Sequence, residues 1–148
     1  MNPAFWGGTF LAVLSTYLLW HALKSFLRFE ASKRWPAVTG RIISSEVVAF
    51  SADSERHDYL LHYEYQVGGV RYQGNRATLY PILQQEEAEK LAQRFTPGLK
   101  VAVHYDPTTP AEATLITGGK PGTRYGELIL AGVSLLVGVA MAAYGLRA

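Results

Sequence analysis

Two long apolar runs frame the chain. Residues 5–23 and 128–146 contain no Lys, Arg, Asp or Glu. A helix needs about 20 predominantly apolar residues to cross a bilayer. The pattern therefore predicts two transmembrane helices, 5–23, extending to about residue 33, and 128–146. Between them the apolar positions alternate with polar ones, which predicts a soluble β-rich domain over 35–118 and a linker over 119–127.

Within that domain, residues 38–50 are rich in β-branched side chains and read as a first strand, bent near Gly40. The polar stretch 51–58 reads as a loop. Leu61, Tyr63, Tyr65 and Val67 then alternate with His62, Glu64 and Gln66. Gly68 and Gly69 follow, and Val70 and Tyr72 resume the apolar face. Two glycines between alternating runs signal a tight hairpin, because the favoured turns need positive φ. After Pro81 the period changes. Ala88, Leu91, Ala92 and Phe95 stand at i, i+3, i+4 and i+7, which predicts a helix over 82–95 with Pro81 suited to its first turn. Pro97 and Gly98 stop it. A strand with Val101, Val103 and Tyr105 on one face follows, then a short one over 113–116. The fold class is thus an α+β membrane protein. Two transmembrane helices flank a small, mostly antiparallel β-domain, sheet or partly open barrel, with one packed α-helix.

Charge adds an orientation. Lys24, Arg28, Lys33, Arg34, Lys120 and Arg124 flank the helices on the side of the middle domain, against Arg147 on the other. The excess of basic residues on cytoplasmic flanks puts the domain in the cytoplasm and both termini outside, in a multi-pass protein of the bacterial inner (cytoplasmic) membrane. The first helix lacks the basic start and cleavage site of a signal peptide. Across 148 residues the net charge is only +2, which gives no footprint for nucleic acid, and there is no cysteine for disulfides, thiolate metal sites or thiol nucleophiles. Both helices carry small residues every fourth position: Gly8, Ala12 and Thr16 in the first, Ser134, Gly138 and Ala142 in the second. Such stripes let helices approach closely in lipid, within one chain or between copies as a homo-oligomer.

Candidate chemistry centres on His104 and Asp106, two apart at the end of a strand, where they share a face. A metal or a proton relay could use such a pair. The competing reading is architectural. Pro107 ends the strand ladder, Asp106 accepts a hydrogen bond from Thr108 or Thr109 in an Asx-type turn, and Pro110 stiffens the exit. That reading is the stronger one, because no metal-ligand spacing, nucleophile motif or phosphate loop accompanies the pair. No catalytic residue, metal or cofactor is expected.

Trp35, Gly40 and Ile42, then Tyr63, Tyr65, Val67, Gly69 and Tyr72, then Pro97, Gly98, Val101, Val103, Tyr105, Asp106, Pro107 and Pro110, and finally an apolar helix, occur in that order. The ordered set resembles the bacterial membrane-anchored family of domain of unknown function 3592 over nearly the whole chain. The resemblance implies no established enzymatic activity. Its signature residues, with Gly68 beside them, are those read above as turn glycines, strand-ending prolines and core aromatics. The 51–58 loop, with Asp53, Ser54, Glu55, Arg56, His57 and Asp58, is the candidate interaction loop particular to this chain. The function expected is a non-enzymatic, membrane-anchored interaction or accessory module whose partners are the bilayer and another protein. The alternative is an immunity protein that neutralises a toxin, ahead of a metal-dependent enzyme or small-ligand sensor.

Overall fold

The structure, a computed structural model, describes residues 3–49, 57–82, 84–120 and 125–147. The described elements run α1 (Pro3–Ser32), β1 (Ala37–Ala49), β2 (His57–Val67), β3 (Val70–Gly74), α2 (Gln85–Arg94), β4 (Lys100–Tyr105), β5 (Ala113–Thr114) and α3 (Gly126–Arg147). They form two compact units. One comprises Met1–Arg28 with Lys120–Ala148, the other Phe29–Gly119.

In the helical unit, α1 has 30 residues and α3 has 22. At 1.5 Å per residue these reach about 45 and 33 Å, against a hydrocarbon core of about 30 Å. Both are long and apolar enough to cross a membrane.

The second unit is an open antiparallel sheet in the order β3-β2-β1-β4-β5, so the barrel alternative does not apply. Its register follows from the apolar alternation. Ile42, Leu61, Tyr63, Tyr65 and Val103 are buried on one face, with Ala77, Ala113 and Leu115 beside them. α2 closes this face with Ala88, Leu91 and the capping Phe95. The β2–β3 hairpin turns through Gly68 (φ 58°) and Gly69 (φ 81°), the two positive angles that a tight hairpin turn requires. Val70, expected on the apolar face, is instead 53% exposed, because it opens the edge strand at the hairpin tip, opposite Val67.

Two expectations are corrected. The helix begins at Gln85, not 82, and Pro81 is not in its first turn. Gln84 is extended (φ −110°, ψ 135°) and Ile82 is partly buried against the core. Upstream, the Ala77 carbonyl accepts the Ile116 N–H at 2.7 Å, and Thr78 bonds the Tyr80 carbonyl. The chain before the helix is thus held out as a connection. The irregularity in β1 falls between Ile42 and Ser44, not at Gly40. There the strand leaves β4, whose last pair is Arg41 with Lys100. Ile42 exchanges bonds with the turn instead: its N–H donates to Leu99, and its carbonyl accepts from Gly98 (φ 85°).

Candidate functional site

The strand end at His104 and Asp106 is built as a turn. Asp106 Oδ1 accepts the Thr108 N–H at 2.9 Å and the Thr108 hydroxyl at 2.7 Å. The Asp106 carbonyl accepts the Thr109 N–H, and its own N–H donates to Glu112. His104 pairs across the ladder with Ala37 and Thr114, and its side chain is half-buried. Among the described residues no group of three or more His, Asp and Glu is placed to hold a metal.

The tyrosines explain why this turn sits where it does. Tyr65 reaches from the core and donates to the Pro110 carbonyl at 2.6 Å. Tyr63, fully buried, donates to the Arg76 carbonyl at 3.0 Å. Tyr59 shares a hydrogen bond with Ser45 at 2.9 Å and lies 3.4 Å from the Leu91 carbonyl at the end of α2. Each ring fills the core while its hydroxyl ties down a loop or helix end, as a buried Tyr needs. Tyr72 stacks on Tyr65 with ring centroids 5.7 Å apart. Burial raises the pKa of Tyr59, Tyr63 and Tyr65, because the interior disfavours a phenolate. Gly40 is buried between strands, where a Cβ would stand 2.6 Å from Val103 Cγ2. Trp35 is half-buried and follows α1, its N–H bonded to Ser32. Pro97, Pro107 and Pro110 lie in the turns flanking β4, and Tyr105 packs on the core edge.

Sequence reasoning missed three features of this unit. Gly74 lies opposite Tyr63 in the ladder, and a Cβ there would run into the Tyr63 ring. Ser32, fully buried, accepts the Gly118 N–H at 2.8 Å, which clasps the chain's entry to its exit. The third is a cleft of about 370 Å³ on the sheet face opposite the core, crossed by Arg41, Glu64, Arg71 and Lys100. Strand alternation places each of those residues on the polar face, but only the register brings them together.

In the helical unit the seam differs in spacing from the stripes. The buried positions are Gly8, Ser15 and Ala22 on α1, and Ala131, Gly138 and Gly145 on α3. These recur every seven residues, the period of a left-handed helix pair. A Cβ on Gly138 would stand 2.8 Å from the Ala12 nitrogen, one on Gly145 2.5 Å from the Phe5 nitrogen, and one on Gly8 would strike Ala142. The backbones therefore touch, antiparallel, through Gly8, Ala12, Gly138 and Ala142. Thr16, expected in this seam, is exposed and bonds the Ala12 carbonyl at 2.8 Å, and Ser134 is half-buried. Asp53, Ser54, Glu55 and Arg56 of the candidate loop lie outside the described residues, as does the side chain of His57. Asp58 is exposed in β2.

The family model for a domain of unknown function (DUF3592) matches residues 38–120. The chain belongs to this family. The DUF3592 match covers the sheet from Val38 onward and α2, and the tyrosine-to-carbonyl ties lie inside it. No curated protein and no solved structure matches the chain.

Proposed function

We propose that this DUF3592 protein is a non-enzymatic accessory module, anchored by α1 and α3 as a transmembrane hairpin and presenting its β-unit to another protein. The observation that carries the anchor is the outward apolar surface of the helices. Trp6, Phe10 and Trp20 on α1, and Leu130, Leu136, Tyr144 and Leu146 on α3, are 60–73% exposed. Surfaces of that size are not left in water, whereas in lipid they are the required exterior. Small residues are meanwhile spent on the seam, so this reading needs no second copy to satisfy them. The basic flanks favour a cytoplasmic β-unit. The absence of an enzyme is supported by Asp106, the best candidate for chemistry, being engaged in its own turn.

The test is membrane topology. The chain has no native cysteine, so Gln73→Cys, on the exposed edge strand β3, gives a single label. The expected result is integration that survives alkaline washing, with labelling by an impermeant thiol reagent only after the membrane is opened. Extraction by alkali would refute the anchor, and labelling of intact cells would reverse the orientation.

A further inference from the structure

The open face of the sheet gathers three cations around one carboxylate. Arg41 on β1 is the direct cross-strand partner of Lys100 on β4. Like charges placed opposite each other on an antiparallel pair oppose folding. On its other side Arg41 pairs in register with Glu64 on β2. A third cation, Arg71, stands on β3 opposite Gln66. Ion pairs join Lys33 with Glu30, Arg76 with Glu112 and Lys90 with Glu86, and none of these involves the cleft. Among the described residues, no carboxylate lies within ion-pair range of Arg41, Arg71 or Lys100. These three, with Glu64, Gln66 and Thr39, line one concavity of about 370 Å³ that spans four strands.

We infer that this cleft is a binding site for a phosphate-bearing anion. Two planar guanidinium groups approaching from different strands suit the several oxygens of a phosphate, which they can grip bidentately, and Lys100 adds a mobile point charge. Thr39 offers a neutral donor at the rim, and Gln66, whose Nε2 donates one proton to the Gly69 carbonyl at 3.3 Å, keeps a second N–H. Glu64 sets a limit on the ligand. It repels a bare anion and accepts a hydrogen bond from a hydroxyl or ammonium next to the phosphate, so a phosphate ester with such a donor fits better than a simple polyanion. The site sits on rigid strands, which favours a preformed geometry. Every residue of the site belongs to the sheet, whether or not the helices cross a bilayer. The phosphate could come from a lipid headgroup or from a soluble metabolite, and the chemistry read here is common to both.

The experiment uses the full chain in neutral detergent. Calorimetric titration with inorganic pyrophosphate, with soluble glycerol 3-phosphate and with a soluble short-chain phosphatidylglycerol measures affinity, at low and at high salt. Binding of at least one is expected, with about a tenfold loss on Arg71→Gln or Lys100→Gln; Glu64→Gln should bring a several-fold gain for pyrophosphate and no gain for phosphatidylglycerol, whose glycerol hydroxyls lose their acceptor. Lys90→Gln, a cation on α2 outside the cleft, serves as control and leaves affinity unchanged. Tighter binding of the lipid than of both pyrophosphate and soluble glycerol 3-phosphate assigns the site to a headgroup, and binding of either soluble anion at least as tightly as the lipid assigns it to a soluble ligand. Lys100→Gln should also hold or raise the melting temperature without ligand, because it relieves the opposition to Arg41. That separates lost binding from lost folding. Failure of all three probes to bind, or equal affinity in wild type, Arg71→Gln and Lys100→Gln, would overturn the proposal.

Discussion

Gly74→Ala is the substitution that most directly tests the packing described here. Gly74 faces Tyr63 in the ladder, and an added methyl would overlap the Tyr63 ring at Cε2 and Cζ. That ring is 0% exposed and has no space to move into. Overpacking a filled core costs about 1–3 kcal/mol. If the ring shifts, the Tyr63 hydroxyl loses the Arg76 carbonyl, a further loss of about 1 kcal/mol. The stiffer unfolded chain returns about 0.4–1 kcal/mol. The net is about 2 kcal/mol. The Phe29–Gly119 unit has 119 − 29 + 1 = 91 residues. In a domain of that size each kcal/mol lowers the melting point by about 4–8 °C, so a drop of roughly 8–16 °C is expected. Thermal and urea unfolding of the detergent-solubilised chain would measure it. Gly69→Ala is the comparison: it has positive φ but nothing within 4 Å of the added Cβ, so it meets only backbone strain of about 1–2 kcal/mol. The double variant Tyr63→Leu with Gly74→Ala should cost less than the two changes added separately, since the methyl then has room. A Gly74→Ala protein within about 0.5 kcal/mol of wild type would refute the account of this strand, since that is the range of surface substitutions away from any special feature.

Other consequences follow from the same contacts. Asp106→Ala removes the acceptor of two hydrogen bonds at the strand end and should cost about 1 kcal/mol in urea unfolding, with Asp106→Asn recovering part of it. Gly138→Leu should lower the melting point of the helical unit, followed by far-ultraviolet circular dichroism, because its Cβ would meet the Ala12 backbone. Gly132→Leu, with nothing within 4 Å, should not. The fold holds Tyr63 protonated above its ordinary value of 10.0, so its contribution is complete below pH 10 and fades as the pH rises beyond it. Tyr63→Phe should therefore be less stable at neutral pH, through the lost hydrogen bond, yet show a shallower decline in stability between pH 10 and 12. Parallel declines would show that other groups govern alkaline unfolding.

What was legible in the sequence was what local periodicity determines. The alternation from Leu61 to Val67 placed the core face of β2, the glycine pair placed the hairpin, and the stripe from Ala88 to Phe95 placed the buried side of α2. Asp106 and Pro107 named their own turn, because an Asx turn closes within three residues. What was not legible depends on partners far along the chain. Gly74 reads as an ordinary turn residue until the register sets it against Tyr63. Ser32 reads as a helix end until Gly118 arrives 86 residues later. The start of α2 is not legible, because Pro81 carries a local signal for a first turn, whereas Ile82 and Ala77 are held by the core and by Ile116. In the helices, a four-residue stripe and a seven-residue seam share Gly8 and Gly138, and only the paired backbones show that Ser15, not Thr16, continues the line.

The residues that carry the family resemblance divide from those of the cleft along the two faces of one sheet. Tyr63, Tyr65, Val101 and Val103 point to the core side, and Pro97, Gly98, Asp106, Pro107 and Pro110 shape the turns that the strands need. Arg41, Arg71 and Lys100 belong to none of these. They occupy positions where the fold asks only for a polar side chain, and where a neutral one would avoid the opposed pair of Arg41 and Lys100. Three cations gathered around one carboxylate, none of them in an ion pair with it, on a face that asks only for polar side chains, are the local signature of a role outside folding. The fold therefore accounts for the shared pattern without any ligand, and the cleft lies on the face that this pattern leaves to polar side chains. On that argument, neutralising Lys100 should separate the two: the sheet loses nothing and the anion site loses its third cation.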